Sequence, residues 1–203
     1  MDWFYFLLPQ ACTLLLSTDA LTNSSLLSQI LGDYSPKKRL QLLIRESLFA
    51  LLSMFCLYGL ARGTISVLRT PLCAIFVVAG IAVTLTGMRA ILRLSNDKGW
   101  VACVKRNPSS LSSFTPIAVP LIIGPSWLAG CCILVGKNYS VLVTSCILFS
   151  SWLLVTIATI ILQVSIGNRG KGKVLLAIQT VLGLFVTIVG TQFLISGLQK
   201  AFL

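Results

Sequence analysis

Apolar residues in this chain fall in long blocks, not at helical or strand spacing. A helical block of about 20 apolar residues crosses the hydrocarbon of a bilayer. Six such blocks predict six spans, at about 3–30, 40–61, 71–94, 114–136, 141–166 and 174–198. Turn chemistry separates them at Asp33-Tyr34-Ser35-Pro36, Gly63-Thr64, Asn107-Pro108, Lys137-Asn138 and the GNRGKGK run from Gly167. A polar loop, SNDKGWVACVKRNPSS, begins at Ser95 between the third and fourth spans.

Two of the six blocks are interrupted. The first carries STDALTNSS over 17–25, where seven of nine residues are polar. Asp19 then lies near mid-bilayer, where an aspartate costs at least ~2.5 kcal/mol on insertion scales. It must face protein, water or an ion. Asn23 shares its face if the helix holds. If the helix breaks, Thr22, Asn23 or Ser24 can cap the next half. A polar packing face, or an early end to the span followed by an interfacial LLSQIL, would account for the same residues. The fourth block carries TPIAVPLIIGPSW over 115–127. Thr115-Pro116 is a helix start, and Pro120 removes a backbone donor inside that helix. Gly124-Pro125 repeats the start signal, so a new half-helix should run from Pro125 to about Gly136. Its free N–H groups, at Ser126 and Trp127, would then sit at a positive dipole end that suits an anionic ligand group. The plain alternative is a proline kink satisfied by neighbouring helices.

The pattern G-x-x-V-T-aliphatic-x-G over Gly80–Gly87 recurs 103 residues later over Gly183–Gly190. The same shift lays the polar patch of span one over the proline cluster of span four. Three spans per half is an odd number, so the halves enter the membrane from opposite sides. The expected fold is all-α, six transmembrane helices as two inverted three-helix repeats with helices one and four interrupted. Repeat one covers about 1–95, a cytoplasmic loop about 96–112, and repeat two about 113–203, all in one membrane domain. Inverted repeats with a discontinuous helix in each half are a mark of secondary transporters with a midplane site. Gly80, Gly87, Gly183, Gly190 and Gly197 are read as a close-packing helix face.

Composition agrees with the pattern. The chain is 56% hydrophobic and only 10% charged, against about a quarter charged in soluble domains. Its mean hydropathy is +0.94. The net charge of +11 lies in short loops, with neither a basic face nor an aromatic platform, so nucleic acid is not an expected partner. Twelve cations flank loops one–two, three–four and five–six, and four lie on the other side. Both termini are therefore predicted outside the cytoplasm. Arg89 and Arg93 are expected to snorkel to cytoplasmic headgroups. The start of the chain has Asp2 and no cation before Lys37, unlike a signal peptide. Seven cysteines without a C-x-x-C pair, and no histidine, offer no metal site and no Cys–His nucleophile. Asp19 is taken as the one central carboxylate and Arg45–Glu46 as a surface ion pair, so no enzyme chemistry and no cofactor are expected. Gln163, Gln179 and Gln192 are read as interhelical hydrogen-bonders, with Gln192 also within possible reach of a solute.

Pro120-Leu121-Ile122-Ile123-Gly124-Pro125-Ser126 resembles the P-L-x-x-G-P-G motif of the MarC family of bacterial inner-membrane proteins. Gly183 through Gln192-Phe193-Leu194-Ile195-Ser196-Gly197-Leu198 resembles that family's sixth-span tail. Asp19 and Asn23 match its first-span D-P-x-G-N-x-P, while Ala20, Thr22 and Ser25 replace the two prolines and the glycine. The likeness runs over nearly the whole chain, including the Ser-Pro-Lys-Lys-Arg turn before span two. It implies a multi-pass inner-membrane transporter of small neutral amino acids, driven by a Na⁺ or H⁺ gradient. The partners implied are the lipid bilayer and a small zwitterionic solute, with a homo-oligomer left open. On this reading Asp19, Thr22, Asn23, Gly124, Pro125, Ser126 and Trp127 form the substrate or ion site. A membrane scaffold or sensor that keeps the fold without the site is the alternative.

Overall fold

Long apolar blocks form long helices, and single glycines inside them do not break the backbone ladder. A computed structural model describes residues 2–31, 34–92, 123–166 and 172–202. Pro116, Pro120, Asn107-Pro108, Arg93, the 96–112 loop and most of the GNRGKGK run lie outside the described residues. The described part is helical throughout: α1 Asp2–Ser17, α2 Asp19–Thr22, α3 Ser24–Leu31, α4 Pro36–Leu68, α5 Leu72–Leu92, α6 Pro125–Gly136, α7 Val141–Ile166 and α8 Gly172–Phe202. Within them Pro36–Leu68, Leu72–Leu92, Val141–Gln163 and Ala177–Phe202 are long and apolar enough to cross a membrane, and Leu7–Ser17 and Pro125–Gly136 are shorter apolar helices. Large apolar side chains such as Leu52, Leu60, Val78 and Leu142 face outward. Such a surface suits lipid tails and would aggregate in water.

α4 corrects two expectations. Its helix begins at Pro36 in the first turn and passes straight through Gly63-Thr64, which is therefore not a turn. The stop comes at Arg69, in a left-handed conformation at φ 47°, two residues before Pro71. A residue preceding proline resists the α conformation, whereas one glycine only weakens a helix by about 1 kcal/mol. A Cβ at Gly63 would meet nothing within 4 Å. Gly63→Ala should therefore stabilise the protein by about 0.5–1 kcal/mol, read as a higher melting temperature in lipid nanodiscs. A fall would mean that the helix does break there. The early start of α4 also carries Glu46 three turns into the bundle. Glu46 is 1% exposed and takes a 2.9 Å bond from Arg45. The Arg45 side chain is 36% exposed, so the pair sits at the edge of the bundle with its acid inside, and Glu46 is a buried carboxylate besides Asp19.

α5 and α8 share the most extensive interface, and glycine is what permits it. A Cβ on Gly80 would lie 2.7 Å from the Leu194 Cα and 2.9 Å from the Gly190 carbonyl oxygen. One on Gly87 would lie 2.7 Å from the Gly183 carbonyl, and one on Gly197 2.7 Å from the Val77 nitrogen. As numbers rise along α5 their partners fall along α8, so the two helices run antiparallel with their backbones in contact. The half-helix α6 packs on α1, α4 and α5. Its Trp127, Cys131 and Leu134 join the main apolar cluster with Leu14, Met54 and Ile147. Its Ile133 joins a smaller cluster with Ile75, Phe76 and Ala79.

Candidate functional site

The first interruption has two parts, at Thr18 between α1 and α2 and at Asn23 between α2 and α3. α1 ends at Ser17 and α2 begins at Asp19, leaving Thr18 between them. Ser17 and Thr18 turn their hydroxyls back onto the Thr13 and Leu15 carbonyls, at 2.9 and 2.6 Å, which competes with continuing the backbone ladder. Beyond Asp19 the ladder resumes: the Asn23 N–H donates to the Asp19 carbonyl and the Leu27 N–H to the Asn23 carbonyl. A four-residue piece, α2, thus starts at Asp19, which occupies its first turn, and α3 starts at Ser24 after Asn23, where a cap at Asn23 would place the second half.

The second interruption is where Gly124-Pro125 marks it. Gly124 is the N-cap of α6 in an extended conformation, and Pro125 is the first helical residue. The two interruptions meet. The Ser126 hydroxyl lies 2.6 Å from the Ser17 carbonyl oxygen and 2.5 Å from Asp19 Oδ1. A Cβ on Gly124 would overlap Asp19 Oδ2. The Ser126 hydroxyl of the first turn of α6 thus serves the orphan carbonyl at the end of α1 across 109 residues of chain. Asp19 lies at the start of its own half-helix and against the start of α6, so two positive dipole ends flank one carboxylate. α1 and α6 run antiparallel from this junction, with Gly130 beside Ser17 and Lys137 beside Gln10.

Asp19, Gly124 and Ser126 are brought together, and all three are buried, Asp19 at 5% exposure. Trp127 is fully buried next to them in sequence, and its indole N–H has no hydrogen-bond partner. Pro125 is exposed and Asn23 half-buried; of Thr22 only the backbone is described. The N-terminal end of α6, expected to hold a ligand's anion, holds the protein's own carboxylate.

Other polar residues near the junction are less visible in the sequence. Gln163 of α7 donates at 3.0 Å to the Ser24 carbonyl of α3, an interhelical bond. Its Oε1, the Ser24 hydroxyl and the Thr159 hydroxyl are buried without partners. Gln179 is half-buried on α8 with its Oε1 unpartnered, while Gln192 is exposed. The signal for Gln163 was a polar side chain inside an apolar span. Nothing in the sequence singled out Ser17, whose contribution is a backbone carbonyl.

Comparison with known proteins gives the same architecture a family. The profile of MarC family integral membrane proteins matches residues 4–202. The chain is 26% identical over 196 residues to a UPF0056 membrane protein of Buchnera aphidicola subsp. Baizongia pistaciae (strain Bp), covering 93% of this chain and 94% of that one. No solved structure matches. A match over nearly all of 203 residues, on a bundle with four membrane-length apolar helices, places this multi-pass integral membrane protein in the MarC family.

Proposed function

We propose that the protein is a secondary transporter of small zwitterionic solutes, of the size of glycine or alanine, in the bacterial inner membrane. The observation that carries this reading is the junction itself: two helix interruptions far apart in sequence close on one buried carboxylate. Broken helices that meet at a polar centre are how transporters build a midplane site. The α5–α8 contacts support two inverted repeats. Carrying each residue across by 103 positions turns the contact of Gly80 with Gly190 into that of Gly183 with Gly87. It likewise turns Thr84 against Gly190 into Thr187 against Gly87. An antiparallel pair that maps onto itself this way is what a two-fold axis in the membrane plane produces.

On this reading Asp19 caps α6 when no solute is bound. An arriving carboxylate competes for the α6 N-terminus, including the Trp127 indole N–H, and Asp19 swings to the solute ammonium. One Ser126 hydroxyl proton faces two acceptors, so a protonated Asp19 would supply the second bond. That favours H⁺ over Na⁺ as the coupling ion. Both termini outside the cytoplasm, and no catalysis, belong to the same reading.

A scaffold or sensor is the second reading, favoured by the closure of the junction, where Ser126 and Trp127 are fully buried. Reconstitution decides between them. Proteoliposomes should accumulate labelled alanine or glycine under an imposed proton gradient. The transport reading falls if a panel of amino acids gives no flux with intact protein under either a proton or a sodium gradient.

A further inference from the structure

The α6 N-terminus is filled by Asp19, so a solute carboxylate needs another place to wait. The opposite end of the same half-helix offers one. A cavity of about 90 Å³ lies between α1 and α6, lined by Gln10, Thr13, Leu14, Gly130, Lys137 and Phe193, with room for several waters. Lys137 Nζ donates to Gln10 Oε1 at 3.1 Å. The C-terminal dipole of α6 favours a cation at this position, which is the plain account of Lys137.

That account leaves the surroundings unexplained. Burial, and to a lesser degree the charge of Lys200, holds the Lys137 ammonium below the ordinary lysine value. Lys200 itself sits 4.2 Å over the Phe76 ring, and Phe76 packs edge-on against Phe193 of the cavity wall. No carboxylate is among the cavity's lining residues. One ammonium group in the wall of a cavity whose lining holds no acid attracts an anion. The cavity wall is one helical turn from the junction. Thr13 is one turn from Ser17 on α1 and accepts its hydroxyl at 2.9 Å. The missing side chain of Gly130 leaves Ser17 Oγ 3.2 Å from where a Cβ would be, and the Ser17 carbonyl is a partner of Ser126.

We propose that this cavity docks the carboxylate of a small zwitterionic solute, with Lys137 as its counter-charge and Gln10 and Thr13 as polar partners, one step short of the Asp19–Ser126 junction. The proposal rests on the transport reading for its ligand, and its test needs no transport. Full-length Thr13→Cys protein that also carries Cys12→Ser, in nanodiscs, is treated with anionic and cationic methanethiosulfonates of matched size, and modification at position 13 is followed by the mass of the peptide that holds it. The anionic reagent should react about tenfold faster. Adding Lys137→Gln should remove most of that preference, and Lys137→Arg should keep it. Millimolar alanine should slow the anionic reaction, whereas alaninamide, which lacks the carboxylate, should not. Gln10→Cys repeats the measurement where the first variant does not assemble. Equal rates for the two reagents, no reaction with either, or equal protection by alanine and alaninamide would overturn the docking site. Charge preference and selective protection in a protein without flux would uphold the docking site and remove the transport reading alone.

Discussion

Gly124→Ala should disable the junction, and removing the Asp19 side chain from the same protein should undo the structural damage. The Gly124 backbone, at φ −101° and ψ −175°, is open to alanine, so the substitution carries no conformational penalty. Its whole effect is the collision of the new methyl with the Asp19 carboxylate. Asp19 must rotate away and lose its Ser126 bond. A buried charged group that loses such a bond costs about 1.5–3 kcal/mol, and the crowding adds a further about 1–3 kcal/mol. Flux should fall at least about tenfold, since each 1.4 kcal/mol lost at the binding step is a factor of ten. With Asp19→Gly in the same chain the methyl has space. The melting temperature should then recover toward that of Asp19→Gly alone, a coupling of about 0.5–3 kcal/mol. Four proteins melted side by side in nanodiscs give the cycle. Additive losses would mean that Gly124 and Asp19 do not touch.

Gly190→Val should have the largest effect on stability. A Cβ at Gly190 would lie 2.9 Å from the Thr84 Cα and closer still to the Thr84 nitrogen. These are backbone atoms of α5 and cannot rotate away, so α5 and α8 must separate along their seam. Overpacking of this kind costs about 1–3 kcal/mol even when side chains absorb it, and here they do not. Gly190→Ala should already lower the melting temperature, and Gly190→Val should leave little monodisperse protein after extraction. Gly59→Val is the control, because a side chain there meets nothing within 4 Å. Similar losses at Gly59 and Gly190 would refute the close-packed seam.

What could be read from the sequence depended on how strongly single residues constrain the backbone. α6 runs from Pro125 to Gly136 because proline at a first turn after glycine admits few conformations. The Lys137-Asn138 turn is likewise local, with Asn138 at φ 53°. Gly63-Thr64 misled because glycine permits a turn without requiring one. The break at Thr18, ahead of the one at Asn23, rests on hydroxyls of Ser17 and Thr18 choosing carbonyls, and in a stretch where seven of nine residues are polar any of several could have done so. Glu46 was disguised by its neighbour: a charge beside Arg45 reads as surface until the helix start at Pro36 is known. Asp19 was legible as a buried acid because no lipid-facing position tolerates it. That its partner would be Ser126 was not legible, since the pairing is a tertiary fact spanning 107 residues.

The central claim is that Asp19 at the junction couples an ion to a zwitterionic solute. Its most direct test is paired measurement of counterflow and gradient-driven uptake of labelled alanine in proteoliposomes, comparing the natural protein with Asp19→Asn. Asparagine is nearly isosteric with a protonated aspartate and can keep the contact with Ser126. Counterflow should therefore persist, at higher alanine concentration because asparagine gives the solute ammonium no counter-charge, while uptake driven by a proton gradient is lost. Gradient-driven uptake that survives in Asp19→Asn would contradict the account.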